Sequence, residues 1–190
     1  MGKISDKTKG DSERHTSPKD ITQQNTTLGQ ISQPKALAPN HDCSKFSSGE
    51  SILDTWLKKY GSHNAEQGYS AVFVCTDKND SVVGYYCLSG YIIDKKLQSA
   101  KNAPKQIPAL LLGRLAVDKN YQGQGLGHDL LKDAMIRAAS VSKDAGIHTL
   151  VVHAKNEAVS EFYKRFGFDN ISANDNLVLH LPIQDIIKNL

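Results

Sequence analysis

The sequence has no long hydrophobic run. No apolar stretch approaches the ~18 residues that a membrane-spanning helix needs, and the N-terminus lacks the hydrophobic segment of a signal peptide. We therefore expect a cytoplasmic protein that does not bind membranes. Its 190 residues, of which 39% are hydrophobic, are enough for one globular core.

Cysteine is also scarce, with an odd set of three and no C-x-x-C pair. Cys75 and Cys87 lie in apolar segments, so we expect buried, reduced thiols and no disulfide. The seven histidines show no metal-ligand spacing. His148 and His153 lie five apart on one predicted strand and would point to opposite faces of the sheet. We expect no metal site.

Residues 1–33 contain no aromatic residue and too few apolar ones to bury against a core. We predict that they form a disordered N-terminal extension and that residues 34–190 form a single globular domain.

The first half of this domain combines a helix with an antiparallel hairpin. Ser47 and Glu50 have the spacing of a capping box, and the apolar side chains that follow fall on one helical face: Ile52, Leu53, Trp56, Leu57 and Tyr60. The segments AVFVCT and VVGYYCLSGYII flank the polar turn DKND and predict a hairpin, because both are rich in β-branched and aromatic residues. Residues 109–117 predict a strand covered on both faces.

The second half alternates helices and strands. Apolar residues at helical spacing predict a helix over residues 125–145 that Gly146 ends. The segment IHTLVVHA predicts a strand, a short helix follows from Asn156 to Gly167, and LVLHLP predicts the last strand. This order predicts a mixed α/β sheet with helices on both faces.

The stretch YQGQGLGHDLL places three glycines within five residues at the start of the long helix. The glycines either make a tight strand-to-helix connection or let backbone amides bind an anion at the helix N-terminus. The nucleoside triphosphate loop G-x-x-x-x-G-K-[ST] is absent, and His128 stands where a dinucleotide fingerprint needs its last glycine.

The spacing Gln122-x-x-Gly125-x-Gly127 after the strand LGRLAV resembles the [QR]-x-x-G-x-[GA] motif of GNAT acetyltransferases. The segment VVHAKNEAVSEFYKRFGF resembles the second half of that fold. With the further segments SGESILDTWLKK and VVGYYCLSG, the resemblance extends over residues 34–190 and is to the GNAT toxins of type II toxin–antitoxin modules. The resemblance implies the GNAT fold, of the α/β (α+β) class, with a mixed central sheet flanked by helices on both faces.

The resemblance also implies an acetyl-coenzyme A (acetyl-CoA) site and a mechanism. The pantetheine arm would be bound by backbone groups on the fourth strand, at Leu115, Ala116 and Val117. The pyrophosphate would be bound by loop amides, those of Gln122, Gly123, Gln124, Gly125, Leu126 and Gly127. Asn156 caps its helix, contacts the cofactor, or does both. Tyr163 would be the general acid that protonates the departing thiolate, in a direct attack within a ternary complex.

Toxins of this kind acetylate the free α-amino group of aminoacyl-tRNA and so block translation. The candidate substrate-binding residues are cationic: Arg114, Lys95, Lys96, Lys101 and Lys105. The lysines alternatively form an ordinary solvated face. Arg114 interrupts an apolar strand, so we expect it either to have an acidic partner or to touch the tRNA acceptor end.

The implied partners are aminoacyl-tRNA, a ribbon-helix-helix antitoxin, promoter DNA only through that antitoxin, and a second copy in a homodimer. Two other functions stay open. One is a GNAT enzyme that acetylates a protein or small-molecule amine. The other is a non-catalytic acyl-CoA-binding or DNA-bound regulatory partner.

Overall fold

The computed structural model describes residues 31–94, 104–172 and 175–189. Its centre is a seven-stranded sheet in the order β1-β2-β3-β4-β5-β7-β6. Strands β4 and β5 are parallel and the other neighbours are antiparallel. The strands are β1 (Lys35–Ala36), β2 (Ala71–Thr76), β3 (Val82–Asp94), β4 (Gln106–Val117), β5 (Thr149–His153), β6 (Asp169–Ser172) and β7 (Asp175–Pro182).

Helices cover both faces of this sheet, as the sequence predicts. They are α1 (Ser51–Trp56), α2 (Ser62–Glu66), α3 (Leu126–Ala145), α4 (Glu157–Lys164) and α5 (Ile183–Lys188). The neighbouring residues Tyr85 and Tyr86 point to opposite faces of β3. Tyr86 packs in the cluster that contains α3, and Tyr85 packs in the cluster that contains Trp56 of α1. Within the described ranges, no helix combines the length and hydrophobicity that crossing a membrane requires.

Helix α3 matches its predicted span closely. Leu130, Leu131, Ala134 and Ala138 lie on its buried face with no exposed surface. Gly146 ends the helix in the left-handed conformation, with φ 64°, which glycine adopts without a Cβ penalty. The hairpin of β2 and β3 and the strands β4, β5 and β7 also form where the sequence predicts them.

The predicted capping box is wrong. Helix α1 begins at Ser51, and Glu50 makes no side-chain cap. The amide of Ser47 instead donates to the Asp118 carboxylate at 2.8 Å. The neighbouring Ser48 hydroxyl donates to Asp54 at 2.6 Å. The distant Asp118 carboxylate therefore accepts from the Ser47 amide, which a capping box would have paired with the Glu50 side chain.

The predicted apolar face of this helix is also only partly buried. Trp56 and Leu57 are buried, but Ile52 is 78% exposed and Tyr60 51% exposed. For Tyr60 the cause is a π-helical segment over Leu57–Gly61. Its wider turn rotates Tyr60 outward and brings Gly61 to the buried side.

Two elements at the C-terminus lie where the sequence analysis assigned none. Strand β6 forms the sheet edge, and α5 buries Ile183 and Ile186 against the main core. The apolar C-terminal segment thus packs on its own domain. The predicted burial of Cys75 and Cys87 is confirmed, Cys43 is half-buried, and all three cysteines are free.

Most of the predicted extension, residues 1–30, lies outside the described residues. Ser32, which the sequence analysis placed in the extension, is hydrogen-bonded to the end of β2. Its amide donates to the Thr76 carbonyl at 2.8 Å, and its hydroxyl accepts from the Thr76 amide at 2.9 Å. The chain therefore contacts the sheet edge before Pro34.

Candidate functional site

The parallel strands β4 and β5 separate halfway along their length. They pair only from Ala109 to Leu112 on the β4 side. Beyond that point β4 continues to Val117, paired with β3 alone. The edge of β4 that faces β5 is therefore open over residues 113–117, and its backbone groups are available to an extended ligand.

A cleft of about 360 Å³ occupies this gap. Four parts of the chain line it. Strand β4 contributes residues 112–117, and the α1 region contributes Ser48, Glu50, Ile52 and Leu53. The glycine-rich loop contributes Gln122, and the β5–α4 region contributes His153, Lys155, Val159 and Tyr163. The structure thus brings Arg114, Leu115, Ala116, Val117, Gln122 and Tyr163, which were predicted from separate motifs, to one cleft.

The glycine-rich loop stands between β4 and α3. Gly123 and Gly125 have φ values of 74° and 90°, which L-residues with side chains rarely adopt. None of the backbone amides of residues 122–127 donates a hydrogen bond to another residue in the described ranges. Unpaired amides at the N-terminus of a 20-residue helix form a site suited to a phosphate or pyrophosphate.

Side chains around the loop hold it in place. The Gln122 side chain donates to the carbonyls of Ser48 at 2.8 Å and Val117 at 2.9 Å. The buried Asp118 carboxylate accepts from the amides of Ser47 and Asn120. Gln122 therefore contributes by fixing the loop geometry, a role that its place in the motif did not indicate.

Tyr163 lies in α4 with only 7% of its surface exposed. Its ring packs against Phe162 and Phe168, with centroid distances of 5.2 and 5.5 Å. Burial raises the pKa of Tyr163 to about 12, because the apolar surroundings disfavour the phenolate. The residue therefore holds its proton at neutral pH and borders the cleft where a developing anion would accept it.

Asn156 caps α4, as the sequence predicts. Its side-chain oxygen accepts a hydrogen bond from the Val159 amide at 3.0 Å. The residue is exposed and has extended backbone geometry, as a helix N-cap requires. Its predicted contact with the cofactor stays a prediction.

Arg114 has a partner that the sequence pattern does not indicate. Its guanidinium lies 4.3 Å from the centroid of the Trp56 ring, a cation–π contact. Burial raises the pKa of the Cys87 thiol, and the positive charge of Arg114 opposes that rise. No carboxylate in the described ranges forms an ion pair with Arg114.

Of the four predicted lysines, only Lys105 lies in the described ranges, and it does not line the cleft. It is exposed and precedes β4 at the end opposite the cleft. About 30 Å of extended chain separates it from Arg114. Lys95, Lys96 and Lys101 lie outside the described residues. No group of three or more potential metal ligands occurs in the described ranges.

An ion pair at the cleft was not predicted from the sequence. The Lys155 ammonium lies 2.5 Å from the Glu50 carboxylate, and both residues line the cleft. They come from opposite sides, since Glu50 precedes α1 and Lys155 follows β5. Their separation by 105 positions along the chain left no local signal.

The chain is similar to known acetyltransferases. The family model "Acetyltransferase (GNAT) domain" matches residues 68–170. Among curated proteins, the tRNA-acetylating toxin of Mycobacterium tuberculosis (strain ATCC 25618 / H37Rv) is 40% identical over 157 residues, which are 81% of this chain and 93% of that protein.

Solved structures show the same similarity. AtaT complexed with acetyl-methionyl-tRNAfMet matches with a TM-score of 0.78 and 28% identity, covering 84% of this chain and 98% of AtaT. A phenylalanine-for-tyrosine mutant of AtaT, bound to the C-terminus of the antitoxin AtaR and acetyl-CoA, matches with a TM-score of 0.73 and 29% identity over 84% of this chain and 98% of that one.

Proposed function

This chain belongs to the GNAT family of acetyltransferases, and we propose that it is the toxin of a type II toxin–antitoxin system that acetylates the α-amino group of aminoacyl-tRNA. The observation that carries the proposal is the cleft itself. It combines an open strand edge, unpaired loop amides nearby and a buried tyrosine. The similarity to the tRNA-acetylating toxin supports the choice of acceptor.

Acetyl-CoA is the acetyl donor, and three parts of this chain would bind it. The open edge of β4 at Leu115, Ala116 and Val117 suits the pantetheine arm, which can add to it like a strand. The unpaired amides of residues 122–127 suit the pyrophosphate. Asn156 stands at the start of α4 beside the cleft-lining Lys155 and would contact the donor while it caps the helix.

The acceptor amine attacks the thioester carbonyl directly while both substrates are bound. A C–N bond forms, the C–S bond breaks, and the departing sulfur needs a proton, while the acylated nitrogen releases one that restores the donor. Tyr163 supplies it, because its pKa of about 12 keeps the hydroxyl protonated until negative charge develops. An α-amino group has a pKa of ~7.7–8.0, so much of it is neutral near pH 7.5 without a strong protein base.

The proposal includes the partners that the family resemblance implies. A ribbon-helix-helix antitoxin would neutralise the enzyme, and promoter DNA would be bound only through that antitoxin. The AtaT structure with the AtaR C-terminus supports an antitoxin that binds the toxin. We further propose a homodimer, action in the cytoplasm, and a catalytic domain at residues 34–190 preceded by the extension at residues 1–33.

The decisive experiment measures transfer of radiolabelled acetyl from acetyl-CoA by the purified full chain. We expect label on charged tRNA and none on the same tRNA after deacylation. Label on uncharged tRNA, or only on proteins or small amines, would overturn the proposed acceptor.

Tyr163→Phe tests the acid. The substitution keeps the ring that packs against Phe162 and Phe168 and removes only the hydroxyl. We expect kcat to fall by about 10²–10⁴-fold, with little change in acetyl-CoA affinity, and growth arrest on expression to be relieved. Equal toxicity of the wild type and Tyr163→Phe would refute the proton-donor role.

A further inference from the structure

A second cavity opens beside the cleft, on the side of α1. We call it the side groove; it has a volume of about 380 Å³ and is lined by Ser51, Ile52, Thr55, Trp56, Tyr60 and Arg114. Ile52 and Arg114 line both the side groove and the cleft. The side groove therefore adjoins the site where acetyl transfer is proposed.

The packing beneath the side groove fixes the position of Arg114. The Trp56 ring stacks on Tyr85 with a centroid distance of 6.0 Å. The Tyr85 hydroxyl donates to the Leu53 carbonyl at 2.9 Å, which ties this stack to α1. Arg114 then lies against the Trp56 ring. A rigid aromatic base thus holds a cation at the boundary of the two cavities.

The contact with Trp56 leaves Arg114 able to bind an anion. A cation–π contact uses the flat face of the guanidinium, whereas its N–H donors point outward in the plane. No carboxylate in the described ranges forms an ion pair with the group. The planar fork of N–H donors matches the geometry of two phosphate oxygens.

The other wall of the side groove suits a nucleobase. Tyr60 is 51% exposed and Ile52 78% exposed, so an aromatic ring and a branched apolar side chain face solvent at the same cavity. Single-stranded nucleic acids are commonly bound by such a pair of features, a stacking surface beside a cation for the backbone.

Covalent connectivity selects the ligand. In aminoacyl-tRNA the reacting amine is joined to the terminal ribose through one ester, so the terminal nucleotide must lie next to the transfer site. We infer that the side groove binds the 3′-terminal nucleotide of aminoacyl-tRNA, with Arg114 on its phosphate and Tyr60 against its base. This inference rests on the proposed function and assigns the acceptor end to named residues.

The test compares two acceptors that carry the same amino acid. One is the aminoacyl-tRNA, and the other is the amino acid amide, which has the amine but no nucleotide. The variant Arg114→Lys removes the planar guanidinium fork, and Tyr60→Leu removes the stacking ring. Lys58→Met and Tyr69→Leu are matched controls, since Lys58 and the 64%-exposed Tyr69 line neither cavity.

We expect each groove variant to lower kcat/KM for aminoacyl-tRNA about tenfold more than for the amide, and the controls to resemble the wild type on both acceptors. Arg114→Met should also reduce the slope of log KM for aminoacyl-tRNA against log salt by about 0.7, the effect of losing one phosphate contact on a single strand. A structural role alone would not change that slope.

Equal losses on both acceptors, or an unchanged salt slope, would overturn the inference while leaving the proposed function intact. A wild-type enzyme that acetylates the amide but not aminoacyl-tRNA would instead refute the proposed function. The two failures are therefore distinguishable.

Discussion

Gly125→Ala tests the proposed pyrophosphate site without introducing a clash. Gly125 has φ 90°, and a Cβ added there would meet no atom within 4 Å. The substitution therefore acts only through the backbone. An L-residue in the left-handed region costs about 1–2 kcal/mol. The reduced freedom of the unfolded chain offsets about 0.4–1 kcal/mol of that cost.

The loop can relieve this strain by rotating the peptide units on either side of residue 125. That rotation would turn at least one unpaired amide away from the pyrophosphate. A hydrogen bond to a charged group contributes about 1.5–3 kcal/mol, and 1.4 kcal/mol corresponds to a factor of about ten. We therefore expect coenzyme A to bind at least about tenfold more weakly, while the free energy of unfolding falls by no more than about 2 kcal/mol.

Two glycines give matched controls. Gly68 has φ 71° with open space around it and does not line the cleft, so Gly68→Ala carries similar strain away from the site. Gly127 has no positive φ, and its added Cβ would lie 3.8 Å from a Val117 methyl group, an ordinary contact. Titration calorimetry measures coenzyme A affinity and denaturant unfolding measures stability. If Gly125→Ala binds coenzyme A as tightly as Gly68→Ala and Gly127→Ala do, the amides of this loop do not bind the pyrophosphate.

Three further predictions follow from the cleft. The value of kcat/KM should rise with pH as the acceptor amine, of pKa ~7.7–8.0, loses its proton. It should then stay level to about pH 10, because burial raises the pKa of Tyr163 to about 12. A decline below pH 10 would argue against Tyr163 as the acid. Lys155→Met should change the unfolding free energy by less than about 1 kcal/mol, since the side chains of Lys155 and Glu50 are 51% and 50% exposed. A loss of several kcal/mol in denaturant unfolding would contradict this prediction. Asn156→Ala should lower the free energy of unfolding by about 1 kcal/mol, and Asn156→Ser should lower it much less. If Asn156 also contacts the donor, calorimetry will show weaker coenzyme A binding in both variants. Unchanged binding in Asn156→Ser would leave capping as its only role.

Local patterns in the sequence correctly predicted the elements whose stability depends on nearby residues. The apolar face of α3 repeats at helical spacing, and Gly146 supplies the left-handed residue that ends it. Asn156 caps α4 through an amide three residues away. These features fix the backbone within one turn, so their residue types are enough to identify them.

Predictions failed where a distant group competed with a local one. The capping box did not form because Asp118, 71 positions away, binds the Ser47 amide. The π-helical segment that exposes Tyr60 occurs where Trp56 and Leu57 pack against the sheet. Helical spacing alone assumes a regular turn and does not include the shape of the surface on which the helix packs.

The sequence by itself determined the motif of the glycine-rich loop, the tyrosine of α4 and the order of the elements from β2 to β5, because each depends on residues close together in the chain. Only the tertiary structure decided at which residue β4 and β5 part, that Arg114 rests on Trp56, and that Glu50 meets Lys155 across the cleft. These contacts join residues from separate elements, and their geometry depends on how the sheet twists and how α1 packs on it. A linear pattern does not carry that information.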